Sequence, residues 1–254
     1  MSKCVTVYTQ AYNVENYIEQ CIKSVLSQTF QDFEWILVEN GSTDKTREII
    51  RKYAALDERI KPDYFDVNQD GFTNYYIAEK ADGRYIVKID SDDWIEPEYL
   101  EKLIAPFEDP DVDISICGAV NYEEETGRET PHEYGELDGV YSKSDIEKQF
   151  IEMRSYMGTY WGKMFRREIF CSILPDMKEI GEKLKKGDNF GGDVAFALCY
   201  LGECKKLAFV NERMYHYRIH NNSYATRTIG TNRVFSCLAL RETEHHFLHK
   251  VNAY

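Results

Sequence analysis

Four residues, Asp90-Ser91-Asp92-Asp93, carry the strongest chemical signal in this chain. They follow the apolar run Tyr85-Ile86-Val87-Lys88-Ile89, which reads as a buried strand. Three carboxylates crowded at a strand end repel one another. A divalent cation relieves that repulsion, and hard divalent ions take oxygen ligands. The motif therefore points to a metal site at the edge of a sheet, with substrate phosphates supplying the remaining ligands. A plainer reading is also open. Asp-rich turns cap helices, and Asp93 is placed to cap a helix beginning near Glu96. An EF-hand is excluded, because Trp94 falls at the third expected ligand position.

Such a turn needs a frame. Cys4 to Thr9 is rich in β-branched residues and predicts a first strand. Asn13 is placed to cap the next helix, whose buried face is Val14, Tyr17, Ile18, Cys21, Val25 and Leu26. Glu34 to Val38 predicts a second strand, continuously apolar as in a parallel sheet covered on both faces. Glu39 to Asp44 reads as a turn. There Ser42 or Thr43 caps a helix with Ile49, Ile50 and Tyr53 inside. A third strand over residues 60–67 contains Pro62, which favours an edge or a bulge. A helix over 72–81 precedes the strand that ends at the acidic turn. This alternation predicts a doubly wound α/β sheet. Loops at the carboxyl ends of such strands form the ligand crevice. The loop after Thr9, the 39–44 turn and the 90–93 turn should therefore converge.

The pattern changes after the strand at Asp113 to Cys117. The Glu-rich stretch 122–138 predicts a solvated loop or exposed ribbon. Helices are expected near 144–156, 165–173, 193–201 and 231–250, with extended segments at 206–210 and 214–218.

The chain has 254 residues, 43% of them hydrophobic, enough for one large α/β domain or a domain with an appendage. A net charge of -13 argues against nucleic-acid binding and against a purely electrostatic hold on an anionic membrane. Local basic patches such as Lys183, Lys185 and Lys186 survive that argument. Seven scattered cysteines, with no Cys-x-x-Cys pair, fit a reduced cytoplasmic protein with buried thiols. Neither a secretory leader nor a bilayer-spanning run is read from the sequence. Docking at the inner face of a membrane stays open, as does membership of a longer protein.

Several stretches, in order, resemble the family-2 glycosyltransferases of the GT-A fold, specifically the bacterial polysaccharide-type members. They are residues 12–18, 24–29, Val38-Glu39-Asn40-Gly41-Ser42-Thr43-Asp44, Gly83-Arg84-Tyr85 leading into the acidic turn, Trp161 to Glu168, and 217–223. The resemblance implies a Rossmann-like, mainly parallel sheet. Residues 1–120 would form the nucleotide-sugar-binding part, and 121–254 an acceptor-side part rich in helices. It implies inverting transfer of a sugar from a nucleotide-diphosphate donor, first of all a UDP-sugar, to an acceptor hydroxyl on a saccharide or lipid-linked saccharide. Mn²⁺ or Mg²⁺ would be the cofactor.

Residue by residue, the resemblance makes Asp92 the metal ligand and Asp90 a carboxylate near the ribose and metal. Glu39 stands where the family has an Asp that accepts a hydrogen bond from the base, and Gln10 and Tyr12 line the base pocket. Asp193, in Gly191-Gly192-Asp193-Val194-Ala195-Phe196, becomes the general base, with Asp188 its competitor and a helix cap its alternative. Arg218 and His220 would reach the diphosphate or the metal, and structural hydrogen bonding is open to both. His216 shares a face with His220, and His245 and His249 lie a helical turn apart, but neither pair reads as a metal site. Trp94 and Trp161 would pack and shape the acceptor groove, and Lys163 would meet phosphate or acceptor. The sequence departs from the family at Gly71-Phe72-Thr73-Asn74, where an Arg is absent, at Gly192 before the base, and at Gln10. These departures bear on donor identity more than on reaction class. Two other readings stay open. One is a nucleotide-sugar-binding module that has lost catalysis. The other is a haloacid-dehalogenase-like phosphatase, in which the acidic motif would normally end the first strand rather than about the fourth.

Overall fold

A computed structural model describes residues 3–69, 73–132, 137–148, 156, 158–184 and 192–220. Asp188, His245, His249, the 221–223 segment and the helix expected over 231–250 lie outside them.

Strands β1 (Val5–Ala11), β2 (Phe33–Asn40), β3 (Ile60–Phe65) and β4 (Tyr85–Lys88) run parallel in the spatial order β3-β2-β1-β4. The intervening crossovers are α1 (Ile18–Leu26), α2 (Thr46–Ala54) and α3 (Thr73–Lys80). Strand β3 forms the sheet edge, where the missing N–H of Pro62 is tolerated.

Strand alternation sorts the core into two layers. Val5, Val7, Leu37 and Val87 pack with Ile18, Cys21 and Ile22 of α1, Ile50 of α2, and Tyr99, Leu100 and Leu103 of α4 (Tyr99–Ile104). Tyr8, Ile36, Val38 and Ile86 face the other way, onto Tyr76 and Ile77 of α3 and residues of the second half. Those come from α5 (Lys143–Lys148), α6 (Arg167–Ser172), α7 (Leu174–Leu184) and α8 (Gly192–Glu203). Burying apolar area on both faces at roughly 25 cal/mol per Å² is the dominant stabilising term. It also explains why the strands read as unbroken hydrophobic runs.

The other half departs from the expected parallel pattern. The sheet continues β4-β9-β6-β10-β5, with β5 (Trp94–Ile95), β6 (Val112–Glu123), β9 (Lys163–Arg166) and β10 (Lys206–Ile219). Strand β9 is antiparallel to both of its neighbours. Its pairing holds Phe165 and Arg166 extended, so the helix expected from residue 165 begins only at Arg167. The two extended segments expected at 206–210 and 214–218 form one strand, with register shifts between Val210 and Tyr215. The Glu-rich stretch is an exposed ribbon in which β7 (Arg128–Pro131) pairs antiparallel with the end of β6. Strand β8 (Gly139–Ser142) pairs with the start of β10.

A glycine admits the chain into β4. A side chain at Gly83 would place its Cβ 2.4 Å from the Thr6 nitrogen, so only glycine passes β1 there. Its N–H donates to Thr6 Oγ1 at 2.9 Å, and Thr6 Oγ1 donates to the buried Glu34. Among the described residues, no helix is long and apolar enough to cross a membrane.

Candidate active site

The loops after β1 and β2 are stitched together by reciprocal hydrogen bonds. Asn13 Oδ1 accepts the Thr43 N–H at 2.9 Å, and Ser42 Oγ accepts the Asn13 N–H at 3.1 Å. Thr46 Oγ1 accepts from Val14 N–H, Asp44 Oδ2 from Glu15 N–H, and Glu15 Oε2 from Lys45 N–H, at 2.9, 3.0 and 2.9 Å. These residues tie loop to loop, and the capping roles expected of them fail. Asn13 has φ 52°, which Asn tolerates, and α1 starts at Ile18 without a side-chain cap. At α2 it is Asp44 Oδ1, and not Ser42 or Thr43, that accepts the Thr46 N–H, at 2.9 Å.

Glu39, next to last in β2, has no exposed surface. Its Oε1 accepts the Ser42 N–H at 2.6 Å, and its Oε2 pairs with Arg47 Nε at 2.5 Å. The tight turn to Ser42 depends on Gly41, at φ 76°, where a Cβ would lie 2.6 Å from the Val67 carbonyl carbon. Arg47 also donates to the Phe65 carbonyl and approaches Asp66 at 3.7 Å. The carboxylate expected to read a base is thus joined to Arg47, a cation to which no residue pattern pointed. Gln10, half-buried, lies opposite Val38 on β1, and Tyr12 is 43% exposed beyond it.

The acidic turn closes through the Asp93 N–H donating to the Asp90 carbonyl at 3.2 Å. Its three carboxylates go to three different partners. Asp90 Oδ1 lies 3.3 Å from Lys88 Nζ. Asp92 Oδ2 lies 3.0 Å from His220 Nε2. Asp93 is buried, and it accepts the Tyr215 hydroxyl at 2.7 Å and the Arg218 N–H at 2.7 Å. The expectation that Asp93 caps a helix is corrected here. Strand β5 follows at once and pairs with Tyr215 and His216 of β10, so the carboxylate is drawn onto β10. Burial, with Asp92 and Asp90 close by, pushes the Asp93 carboxyl well above the ordinary carboxylate range. Burial and Asp90 raise Asp92 as well, and His220 draws it back.

Arg218 and His220 both meet the turn, in different ways. The Arg218 Nε donates to the Asp92 carbonyl at 2.8 Å, and its Nη2 donates to Gln20 Oε1 at 2.6 Å. Its guanidinium lies 4.8 Å from the Trp94 ring centroid, 5.0 Å from Tyr17 and 5.4 Å from Tyr122. It is 6% exposed, so this arginine shapes the turn's backbone from below. His220 packs on Tyr17, with ring centroids 4.7 Å apart. His216 goes elsewhere, bonding Glu96 at 2.7 Å and stacking on Trp94.

Asp193 lies in the first turn of α8. Burial raises its carboxyl above the ordinary range, Lys88 lowers it, Asp90 raises it and Lys163 lowers it; the Tyr160 N–H donates to it. Asp193, Lys88 and Asp90 therefore share one electrostatic neighbourhood. Lys163 is fully buried and donates to the Thr159 carbonyl, Thr159 Oγ1 and the Trp161 carbonyl at 2.6, 2.9 and 3.2 Å. That satisfies all three ammonium donors, and burial pushes its pKa down to about 7. It secures the turn before β9 instead of facing open surface. Trp161 stacks on Tyr215 and Tyr217 at 4.7 and 5.3 Å.

Among the described residues, no group of three or more His, Cys, Asp or Glu side chains is arranged to hold a metal ion. The protein offers two adjoining donors, the Asp92 carboxylate and the His220 imidazole. A raised carboxylate pressed against other carboxylates is a donor that a cation would stabilise. The residues thus fit an ion whose other ligands come from a bound diphosphate. Of the residues given no role in the sequence reading, Lys88 had a visible signal, a charge inside an otherwise apolar strand. Arg47, Gln20 and Tyr215 had none.

Comparison with known proteins bears on the family and the fold. The family described as Glycosyl transferase family 2 matches residues 6–174. The putative glycosyltransferase EpsH of Bacillus subtilis is 31% identical over 98% of this chain and 70% of its own length. Glycosyltransferase GlyA of Streptococcus pneumoniae is 29% identical over 86% of this chain, which spans only 31% of that relative. Among solved structures, S. aureus TarS 1-349 in complex with UDP-GlcNAc superposes with a TM-score of 0.72 at 20% identity, over 97% of this chain and 66% of that one. PcManGT, a mannosyltransferase from Pyrobaculum calidifontis, in complex with GDP-Man and Mn2+, superposes at 0.60 with 15% identity, over 100% of this chain and 74% of that one. At such identities the superpositions establish the shared fold. On the family match and the likeness to EpsH, the chain belongs to glycosyl transferase family 2.

Proposed function

We propose that the chain transfers a sugar, with inversion, from a UDP-sugar to a saccharide hydroxyl during polysaccharide or glycoconjugate synthesis. The carrying observation is that Asp90, in the turn after β4, lies close enough to act on both Asp92, which pairs with His220, and Asp193. Glu39, held inside by the Ser42 N–H and Arg47, fixes the loop beside which the base of a UDP-sugar would lie. Asp193 takes the proton of the acceptor hydroxyl. The acceptor oxygen forms its bond to the anomeric carbon from the face opposite the diphosphate. The bond from that carbon to the phosphate oxygen breaks, and its electron pair leaves with UDP. Asp92 and His220 would hold a divalent ion, which when bound supplies charge stabilisation to the departing diphosphate. An imidazole in the donor set favours Mn²⁺ over the harder Mg²⁺. Family membership and the position of the acidic turn after the fourth strand weigh against the phosphatase reading.

Calorimetric titration with UDP tests the proposal. UDP should bind in the presence of Mn²⁺ and bind at least ~10-fold more weakly in EDTA, because an ion held by Asp92 and His220 would add positive charge to the hold on the diphosphate. Equal affinity in both conditions contradicts the metal role. Absence of binding by any nucleoside diphosphate contradicts the whole reading.

A further inference from the structure

Lys88 occupies the last position of β4, a central strand otherwise built from Tyr85, Ile86 and Val87. Alternation puts it on the face of Ile86, which packs toward α8, and away from Val87, which packs toward α4. An ammonium in such a strand is costly unless it is paired. Its partners are specific. Nζ lies 3.3 Å from Asp90 Oδ1 and 5.1 Å from the centroid of the Tyr160 ring. Tyr160 in turn gives its backbone N–H to Asp193, whose charge acts on Lys88. One cation therefore lies against a carboxylate of the acidic turn and, across Tyr160, near the carboxylate at the start of α8. Without it the two acids repel each other, and a diphosphate on the acidic turn would add further negative charge.

We propose that Lys88 is a positioning residue for the transfer reaction: by holding Asp90 and Asp193 together in one place, it keeps the proposed base at the acceptor when the donor is bound. Lys88 neither takes the proton nor binds the ion; it acts through Asp193. This rests on the assignment of Asp193 as the base.

The test measures UDP release from UDP-GlcNAc and other UDP-sugars with Mn²⁺, water serving as acceptor, in the full chain and in Lys88→Met, Lys88→Arg and Asp193→Asn. Lys88→Met keeps the length of the stem and removes the charge. Its kcat should fall about 10²-fold, the scale expected when a reacting group is misplaced by ångströms. KM for UDP-GlcNAc and calorimetric UDP affinity should stay within about 3-fold, since the Lys88 ammonium is paired to Asp90 rather than to the donor. Lys88→Arg should restore kcat to within about 10-fold of wild type, because the charge returns with different geometry. A kcat in Lys88→Met within about 3-fold of wild type overturns the proposal. So does a raised KM with kcat retained, which would make Lys88 a donor-binding cation. If Lys88→Met does not fold, Lys88→Gln is read by the same criteria. A turnover loss in Asp193→Asn alongside an active Lys88→Met sinks only the role of Lys88. An active Asp193→Asn, or a wild type that releases UDP from none of the UDP-sugars offered, sinks the reading beneath it.

Discussion

Asp193→Asn should lower turnover by roughly 10²- to 10⁴-fold, the usual contribution of a general base. UDP affinity should stay within about 3-fold, because the base serves the transition state and not donor binding. The substitution is nearly isosteric, and Asn retains an acceptor for the Tyr160 N–H that the carboxylate now holds. A loss of activity through misfolding would reduce UDP affinity as well, so the two measurements separate chemistry from structure. The pH profile gives an independent signature. Burial and Asp90 raise the Asp193 carboxyl, against the opposing pull of Lys88 and Lys163. A base must be ionised to act, so the rate should fall as pH drops through that raised value. The acid limb of kcat should therefore lie above the ordinary carboxylate pKa of about 3.9. A profile flat across the acidic range, or an Asn variant at wild-type rate, removes Asp193 from the mechanism. It would favour the reading of a binding module without catalysis.

Asp92→Asn should have the second-largest effect, a loss on the order of 10²–10³ in turnover, comparable to removing a major electrostatic stabiliser of the leaving group. Unlike the Asp193 variant, it should also erase the difference in UDP affinity between Mn²⁺ and EDTA. Its effect on folding should run the opposite way. Asp92 lies against Asp90 and Asp93, and burial together with Asp90 already raises its pKa. In metal-free buffer, removing that negative charge relieves repulsion, so thermal stability should hold or rise. An acidic side chain that costs stability and supports turnover is characteristic of a functional site. If Asp92→Asn unfolds the protein while metal dependence persists in the folded fraction, the Asp92–His220 pair is structural.

The contrast between the two halves of the sheet explains what the sequence could reveal. Among β1 to β4 the pairings with one another are all parallel and the connections are crossover helices, so local hydrophobic runs and loop residues report the architecture directly. Strand β9 is held by β4 and β6, nearly eighty and fifty residues away in sequence, and its four residues carry no local signal against the helix that follows. The same distance effect hid the site's supports. Asp93 looks like a cap until β10 comes alongside, bringing the Tyr215 hydroxyl and the Arg218 N–H. Glu39 looks like an open carboxylate until α2 turns Arg47 back onto it. The acidic turn stood out by type and spacing, and Glu39, Asp193, Arg218 and His220 through the family resemblance. The side chains that hold them could be found only once long-range pairing was known. Lys88 lies between these cases, visible as an oddity in an apolar strand but uninterpretable without Asp193 beside it.

Crystals grown with UDP and Mn²⁺ and measured at the manganese absorption edge test the central claim most directly. The anomalous peak should lie within coordination distance of the Asp92 carboxylate and the His220 imidazole, with the diphosphate on its far side and the uracil beside Glu39 and Arg47. A peak remote from Asp92, or a nucleotide bound away from the ends of β1 and β2, would contradict it.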